Sequence, residues 1–203
     1  MHFISTIVLE SKIDIASPFN SLFVEKRLAE IGSRKGKNTF LESVMTDKSA
    51  IILNEKNGCK TTLLPGNKGP KTGTWEQTKQ MAFELNDQGI AVTFLPELTF
   101  DTCADSLIKI GNVYKIADFK YCITSNPNTL AKDLKRGFEQ ANTIVLKLKN
   151  MDSGLFRKAI DYLLRNEIPY GGILLINNYG RVIELSRKDL KTGVYRKRIK
   201  GFL

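Results

Sequence analysis

The chain has 203 residues, with 31 Lys plus Arg against 21 Asp plus Glu, which gives a formal charge of +10. Its 42% apolar content is ordinary for a globular protein with a buried core. Its longest apolar runs have four residues, as at 173–176, far fewer than the ~18 that a membrane span needs. We therefore expect a cytoplasmic protein with no membrane span.

Histidine and cysteine content excludes several enzyme classes. The only histidine is His2, and the three cysteines at 59, 103 and 122 have no metal-site spacing. Serine and cysteine hydrolases with a catalytic histidine, HExxH zinc enzymes and two-histidine ribonucleases are therefore excluded. Any acid or base must be a carboxylate, a lysine or a metal-bound water.

Positive charge is concentrated at the two ends of the sequence. The net charge is +4 over residues 1–73, zero over 74–150 and +6 over 151–203. The basic cluster at 187–200 is either a solvated face and frayed tail, or a surface that attracts a polyanion through counterion release.

The first third of the chain predicts a mixture of helices and strands. Ser17-Pro18 is typical of a helix start and Gly32 of a helix end. Asn57-Gly58 is a strong hairpin turn signal. We expect strands at 3–9, 50–53 and 60–64, a helix up to residue 31, a basic loop at 34–37 and a short helix at 39–45.

A linker is predicted at 65–73, which is rich in glycine and proline. Gly66 and Lys71-Thr72 in this stretch do not match the spacing of a phosphate-binding loop. The linker divides the chain into an N-terminal α+β extension at 1–73, of unknown role, and a second domain at 74–203 that ends in a basic tail.

The second domain predicts an α/β arrangement. Thr74 and Gln77 form a capping box at a helix start, and Gly89 ends that helix. Gly111-Asn112 is a two-residue hairpin loop, and Asn126-Pro127 opens another helix. We expect helices at 74–88, from 127 to about 140, and at 153–166 with Ser153 as its cap, and strands at 90–95, 105–110, 113–121, 143–148, 173–176 and 182–185.

The second hairpin brings three charged residues together. With Gly111-Asn112 as the loop, Ile110 faces Val113, so Asp105 faces Asp118. Strand alternation places Lys120 on the same face as Asp118. Two facing carboxylates repel unless a cation lies between them, and Mg²⁺ and Mn²⁺ prefer oxygen ligands. The alternative is that Asp105 lies in a loop and that Asp118 and Lys120 form an ordinary exposed pair.

These residues resemble the core signature of the PD-(D/E)XK nucleases, an acid at the start of one strand followed by Asp-x-Lys on the next. The predicted order of elements over 74–148 is similar to that superfamily's αβββαβ core, a restriction-endonuclease-like central sheet flanked by helices. Over about 74–185 the chain also resembles the C-terminal nuclease domains of contact-dependent growth-inhibition toxins, several of which cleave tRNA. One departure is Ala104, where the family has proline before the first acid. The matching stretches are Glu76 to Gly89, Leu95-Pro96-Glu97, Ala104 to Ile108, and Gln140 to Leu146.

The resemblance implies that Asp105 and Asp118 bind a divalent metal, and that Lys120 orients the attacking water and stabilises the transition state. It also implies an inhibitor protein that protects the producing cell, and delivery into a target cell if the chain is a toxin. Glu76 could complete the metal site, or could simply be an acid favoured in the first turn of a helix.

Other residues have weaker assignments. Glu84 is the reserve ligand, Glu97 could support the site from a strand end, and Gln140 could hold a ligand or the scissile phosphate or be a solvated helix end. Three cations share a predicted helix face and either grip phosphates or face solvent: Lys132, Lys135 and Arg136. Three aromatic residues either stack on bases or pack in the core or at its edge: Trp75, Tyr121 and Tyr179.

The sequence therefore predicts a metal-dependent nuclease with Mg²⁺ or Mn²⁺, acting on nucleic acid, with RNA and in particular tRNA favoured. The alternatives are a DNA endonuclease of a mobile element or defence system, and a non-catalytic basic nucleic-acid-binding protein. The oligomeric state is not predicted.

Overall fold

A computed structural model describes residues 21–66, 75–96, 106–150, 152–167 and 170–203. The predicted strand at 3–9, the helix start at Ser17, most of the linker, and the residues Thr74, Glu97 and Asp105 lie outside these ranges. None of the helices in the described ranges is both long enough and apolar enough to span a bilayer.

One mixed sheet of eight strands organises the described residues. Its strand order follows the chain from β1 to β8. Five strands, β2, β3, β5, β6 and β7, run in one direction, and β1, β4 and β8 run against them. The strands are β1 (Ile51–Lys56), β2 (Cys59–Leu63), β3 (Ile90–Phe94), β4 (Ser106–Ile110), β5 (Val113–Cys122), β6 (Thr143–Leu148), β7 (Gly172–Ile176) and β8 (Val182–Leu185).

Helices cover both faces of this sheet, which confirms the predicted mixed α/β class. The order α3-β3-β4-β5-α4-β6 is the predicted αβββαβ order. The helices are α1 (Ser21–Glu30), α2 (Arg34–Met45), α3 (Trp75–Asp87), α4 (Pro127–Gln140), α5 (Ser153–Arg165), α6 (Arg187–Thr192) and α7 (Tyr195–Ile199).

The two faces of the sheet belong to different hydrophobic cores. Phe119 and Val145 pack with α3 on one face. Ile144 and Leu146, their neighbours along the strands, pack with α4 and α5 on the other face. This is the alternation expected of a strand buried on both sides. Side chains of β5 with even numbers therefore lie on the same side of the sheet as α4, and Phe119 and Tyr121 lie on the side of α3.

Both predicted hairpins form with the predicted turns. Asn57 and Gly58 have φ values of 53° and 73°, as a type I′ turn requires. Gly111 has a φ of 56°, and Ile110 pairs with Val113. The strands β1 and β2, which precede residue 67, belong to the same sheet as the strands that follow it. The division of the chain at residue 73 stays a prediction.

Two helix starts differ from the sequence-based expectation. The basic stretch 34–37 is the first turn of α2 and not a loop, because the Ser33 side chain accepts a hydrogen bond from the Gly36 amide at 3.0 Å. The cap of α5 is Asp152 and not Ser153. Its carboxylate accepts hydrogen bonds from the amides of Gly154 and Leu155 at 2.7 and 3.0 Å.

The basic C-terminal segment is folded and not frayed. Ser186 and Asp189 form a capping box at the start of α6. Tyr195 and Ile199 of α7 are buried in the core beneath α5, and the Tyr195 hydroxyl lies 3.0 Å from Asp161 on that helix. The cations of this segment therefore lie on a fixed surface.

Candidate active site

Asp118 and Lys120 form a buried ion pair in the middle of the sheet. Lys120 Nζ lies 2.7 Å from Asp118 Oδ2, and Asp118 is only 1% exposed. The side chain of Lys120 is 25% exposed, so its ammonium group connects the buried carboxylate to solvent. Removing two charges from water costs several kcal/mol per ion before their attraction offsets it. The expectation of an ordinary exposed pair is therefore wrong for Asp118.

The carboxylate lies directly beneath α4. Asp118 pairs with Ile144 of β6, whose side chain packs against α4 and α5. A Cβ atom at Gly137 of α4 would lie 2.7 Å from Asp118 Oδ2 and 2.9 Å from Ile144 Cδ1. Only glycine therefore allows the helix backbone to approach the carboxylate this closely.

Cys122 shares the same strand face and is affected by the same charges. The pKa of its thiol is raised from 9.0 to about 12, mainly by burial and also by the negative charge of Asp133 on α4, while Lys120 acts in the opposite direction. The thiol therefore stays protonated and is a poor nucleophile or metal ligand at neutral pH. Cys122 is thus a packing residue of the core beneath α4.

The hairpin that carries the predicted second acid has the predicted register. Ser106 pairs with Ala117 and Leu107 with Ile116, which is the alignment that the loop chemistry predicts. Asp105 itself lies outside the described residues, so its place opposite Asp118 stays a prediction. Among the described residues, no three His, Cys, Asp or Glu side chains are grouped closely enough to hold a metal. At this site, Asp118 is the carboxylate among the described residues that could supply one oxygen ligand to a divalent cation.

Gln140 lies at the end of α4, one helical turn beyond Gly137. Its side-chain Oε1 atom is buried and accepts no hydrogen bond from any described residue. A buried amide oxygen without a donor costs free energy. This oxygen is therefore suited to bind a metal, a water or a substrate group. Because it is buried, the alternative that Gln140 is a solvated helix end does not fit.

Glu76 is not brought to Asp118 by the described contacts. It lies in the first turn of α3, on the helix that covers the opposite face of the sheet. Its side chain is 77% exposed and its carboxylate lies 2.7 Å from Lys79. The expectation that Glu76 completes the metal site is therefore corrected, and the alternative of a first-turn acid describes it better.

Glu84, the reserve ligand, forms a second buried ion pair that the sequence analysis did not predict. Glu84 Oε1 lies 2.5 Å from Lys147 Nζ, and both side chains are 13% exposed. The other oxygen, Oε2, is buried and has no hydrogen-bond partner in the described part of the chain. Lys147 interrupts the apolar strand β6 just as Asp118 interrupts β5, and this signal could have identified it.

Comparisons with known proteins give one similarity. No family model and no curated protein matches the sequence. Among solved structures, a chain of the CdiA-CT/CdiI toxin and immunity complex from Burkholderia pseudomallei is 18% identical, with a TM-score of 0.46. The alignment covers 62% of this chain and 98% of that chain. A similarity at this level assigns no function.

The three predicted phosphate-binding cations lie on the outer surface of α4. Lys132, Lys135 and Arg136 are all exposed, while Leu130 and Leu134 of the same helix are buried. Lys135 lies 3.7 Å from Glu139, a surface pair that contributes little. The helix therefore presents a basic outer face above the Asp118–Lys120 pair.

The three predicted stacking aromatics have different environments. Trp75 packs against Phe94, with ring centroids 4.9 Å apart, so core packing describes it. Tyr121 is half-buried against the α3 core. Tyr179 is 84% exposed, so the expectation of core packing is wrong for this residue.

Proposed function

We propose that this chain is a divalent-metal-dependent nuclease that hydrolyses phosphodiester bonds at the Asp118–Lys120 pair. The observation that supports this best is the burial of that pair in the centre of the sheet, at 2.7 Å, with Lys120 reaching solvent. A hydrophobic pair of similar volume would stabilise the fold at least as well, so a buried ion pair is a weak device for stability. Its presence in the centre of the sheet therefore favours a chemical role.

The roles follow from the chemistry of the groups. A bound Mg²⁺ or Mn²⁺ would supply an activated water and stabilise the phosphoryl oxygens. Asp118, with Asp105 as the expected second carboxylate, would hold it, and the free Oε1 of Gln140 is a further oxygen donor. The ammonium of Lys120 orients the water and neutralises charge on the phosphoryl group. The water loses a proton to solvent as its oxygen forms a bond to phosphorus, the bond from phosphorus to the leaving oxygen breaks, and that oxygen takes up a proton from solvent.

RNA, and tRNA in particular, is the proposed substrate. The charge of +10 and the exposed cations of α4 support a polyanionic substrate. The choice of tRNA comes from the sequence resemblance to growth-inhibition toxins. That resemblance also leads us to propose an acidic inhibitor protein as a partner, whose binding should weaken at high salt.

Cleavage of tRNA and of plasmid DNA, each with Mg²⁺, Mn²⁺ or EDTA, tests the proposal. We expect tRNA cleavage that EDTA abolishes, and at least a 100-fold loss of rate in Asp118→Asn and in Lys120→Met, because each removes a charge at the reacting centre. Circular dichroism and a urea titration verify that each variant is folded.

Lys115→Met is the matched control. Lys115 is on the same strand as Lys120 but points to the opposite face, where it is paired with Glu184. Its cleavage rate should equal that of the wild type. Cleavage that survives EDTA, or folded Asp118 and Lys120 variants with full activity, would exclude the proposed site. Cleavage of plasmid alone would assign DNA as the substrate, and binding without cleavage would leave a nucleic-acid-binding protein.

A further inference from the structure

The turn after β7 holds an aromatic side chain in solvent. This turn, residues 177–181, leads from β7 into β8. Tyr179 at its tip is 84% exposed. Single exposed hydrophobic residues are common on protein surfaces, so exposure alone assigns no role to it.

The turn is fixed by a buried side chain. Asn177 is fully buried, and its Oδ1 accepts hydrogen bonds from the amides of Tyr179 and Arg181, both at 3.0 Å. Its Nδ2 donates to the Phe202 carbonyl at 3.2 Å. Gly180, at φ 71°, donates its amide to the Asn177 carbonyl at 3.0 Å. The Tyr179 backbone is therefore pre-organised, so little conformational entropy is lost when a ligand binds the ring.

The turn lies at the carboxyl ends of the parallel strands, which is where open α/β sheets bind ligands. It follows the carboxyl end of β7, and β5, β6 and β7 run parallel. Lys120 pairs with Leu146, and Leu146 pairs with Leu175, so two strand spacings separate Lys120 from β7. The backbones of Lys120 and Leu175 are therefore about 10 Å apart, and the turn begins two residues after Leu175, within reach of a short single strand.

The charges around the turn are mainly positive. Arg181 and Lys149 are exposed, and the Asn178 side chain donates to the Lys149 carbonyl at 3.4 Å, which joins the two loops. The acid beside the turn is Glu84: a Cβ at Gly180 would lie 3.5 Å from its Cγ. That carboxylate is neutralised by Lys147. The surroundings of the exposed ring therefore complement phosphate groups.

We propose that Tyr179 is a stacking platform for an unpaired base of a single-stranded nucleic acid, with Lys149 and Arg181 contacting the flanking phosphates. Aromatic rings bind single strands in this way because every base has a π face, whereas the bases of a duplex are already stacked on each other. The inference deepens the proposed function by naming a single-stranded region as the bound form, and it rests on that function for the choice of RNA.

Binding measured without catalysis tests this inference. In EDTA, fluorescence anisotropy follows a labelled 12-nucleotide single-stranded RNA and the same sequence as a duplex. We expect tighter binding of the single strand, a loss of about tenfold in Tyr179→Ala, and near wild-type affinity in Tyr179→Trp, which retains a ring. Lys149→Ala and Arg181→Ala should each reduce the slope of log K against log salt by about 0.7.

Tyr162→Ala is the matched control, because Tyr162 is an exposed tyrosine on α5, away from this turn. It should bind like the wild type. Equal affinity of Tyr179→Ala and wild type for the single strand, or an equal loss in Tyr162→Ala, would overturn the inference. A ring that proves necessary only for binding a protein inhibitor would overturn it as well.

The two proposals fail separately. If Asp118→Asn still binds the single strand through Tyr179 but the wild type cleaves no nucleic acid, the nuclease proposal fails and the stacking platform is supported. If the wild type cleaves RNA and Tyr179→Ala binds and cleaves it equally well, the stacking platform fails and the nuclease proposal is supported.

Discussion

Individual charged residues on the central strands form the candidate site. The pairing of Asp118 with Lys120 on one face of β5 could be predicted from the sequence, because charges are costly in an apolar strand and alternation places both on one face. The same reasoning applied to β6 would have identified Lys147. Glu76 could not be assigned correctly, because the sequence does not say which face of the sheet a helix covers.

Cys122 provides a test of burial on this strand face. The folded thiol has a pKa raised to about 12 by burial and by Asp133, so between pH 9 and 12 it keeps a proton that the unfolded chain releases. Stability should therefore fall as the pH rises through this interval, by up to about 1.4 kcal/mol per pH unit. Urea titrations at pH 8, 9.5 and 10.5 measure this effect.

Cys122→Ala is the control for this titration, since it lacks the group and should show a shallower decrease. A second measurement uses a Cys59→Ser, Cys103→Ser variant, in which Cys122 is the remaining thiol. Its reaction with a disulfide reagent at pH 8 should be slow until urea unfolds the protein. Rapid reaction of the folded protein would contradict the assigned burial.

Whole elements were predicted best where turn chemistry is specific. The hairpins at Asn57-Gly58 and Gly111-Asn112 formed as expected because few other residues adopt those backbone angles. The cap of α5 was misplaced by one residue because Asp152 and Ser153 are both good capping residues. Helices α6 and α7 were not predicted, since six and five residues are too few to show helical periodicity among so many cations.

The close approach of α4 to the sheet leads to a prediction at this scale. In Gly137→Ala, the new methyl group would lie 2.7 Å from Asp118 Oδ2, so either the helix or the carboxylate must shift. We expect a loss of about 1–3 kcal/mol in unfolding free energy. We also expect a lower rate of tRNA cleavage, measured without urea. A urea titration and the tRNA assay measure the two effects.

Gly32→Ala serves as the comparison, because a Cβ at Gly32 meets no atom within 4 Å. Its stability and activity should match those of the wild type. If Gly137→Ala were as stable and as active as Gly32→Ala, the packing of α4 on Asp118 would be looser than described.

At the scale of the whole molecule, the class and element order followed from the sequence, while the distribution of helices between the two faces did not. The strand alternation on β5 and β6 shows which residues share a face, but only tertiary contacts show that α3 covers one face and α4 and α5 the other. That assignment decides which acids can meet, and it separates Glu84 from Asp118.

The excess of positive charge gives a whole-molecule prediction. Replacing the exposed α4 cations together, as Lys132→Ala, Lys135→Ala and Arg136→Ala, should weaken RNA binding in EDTA and reduce the magnitude of the salt slope by about 2. The control replaces three exposed cations of the N-terminal helices, Lys26, Arg34 and Lys35. Equal effects of the two triple variants would show that attraction by net charge, and not the α4 face, governs binding.

The strand order of the sheet has a consequence for how the protein is made. Each of the eight described strands pairs with the one that precedes it in the chain, so among them no strand has to wait for a partner that is made much later. Paired residues of neighbouring strands are 31 positions apart at most, as for Thr61 and Val92, so each pairing closes a loop of limited length. The polypeptide can therefore acquire its structure progressively from the amino end.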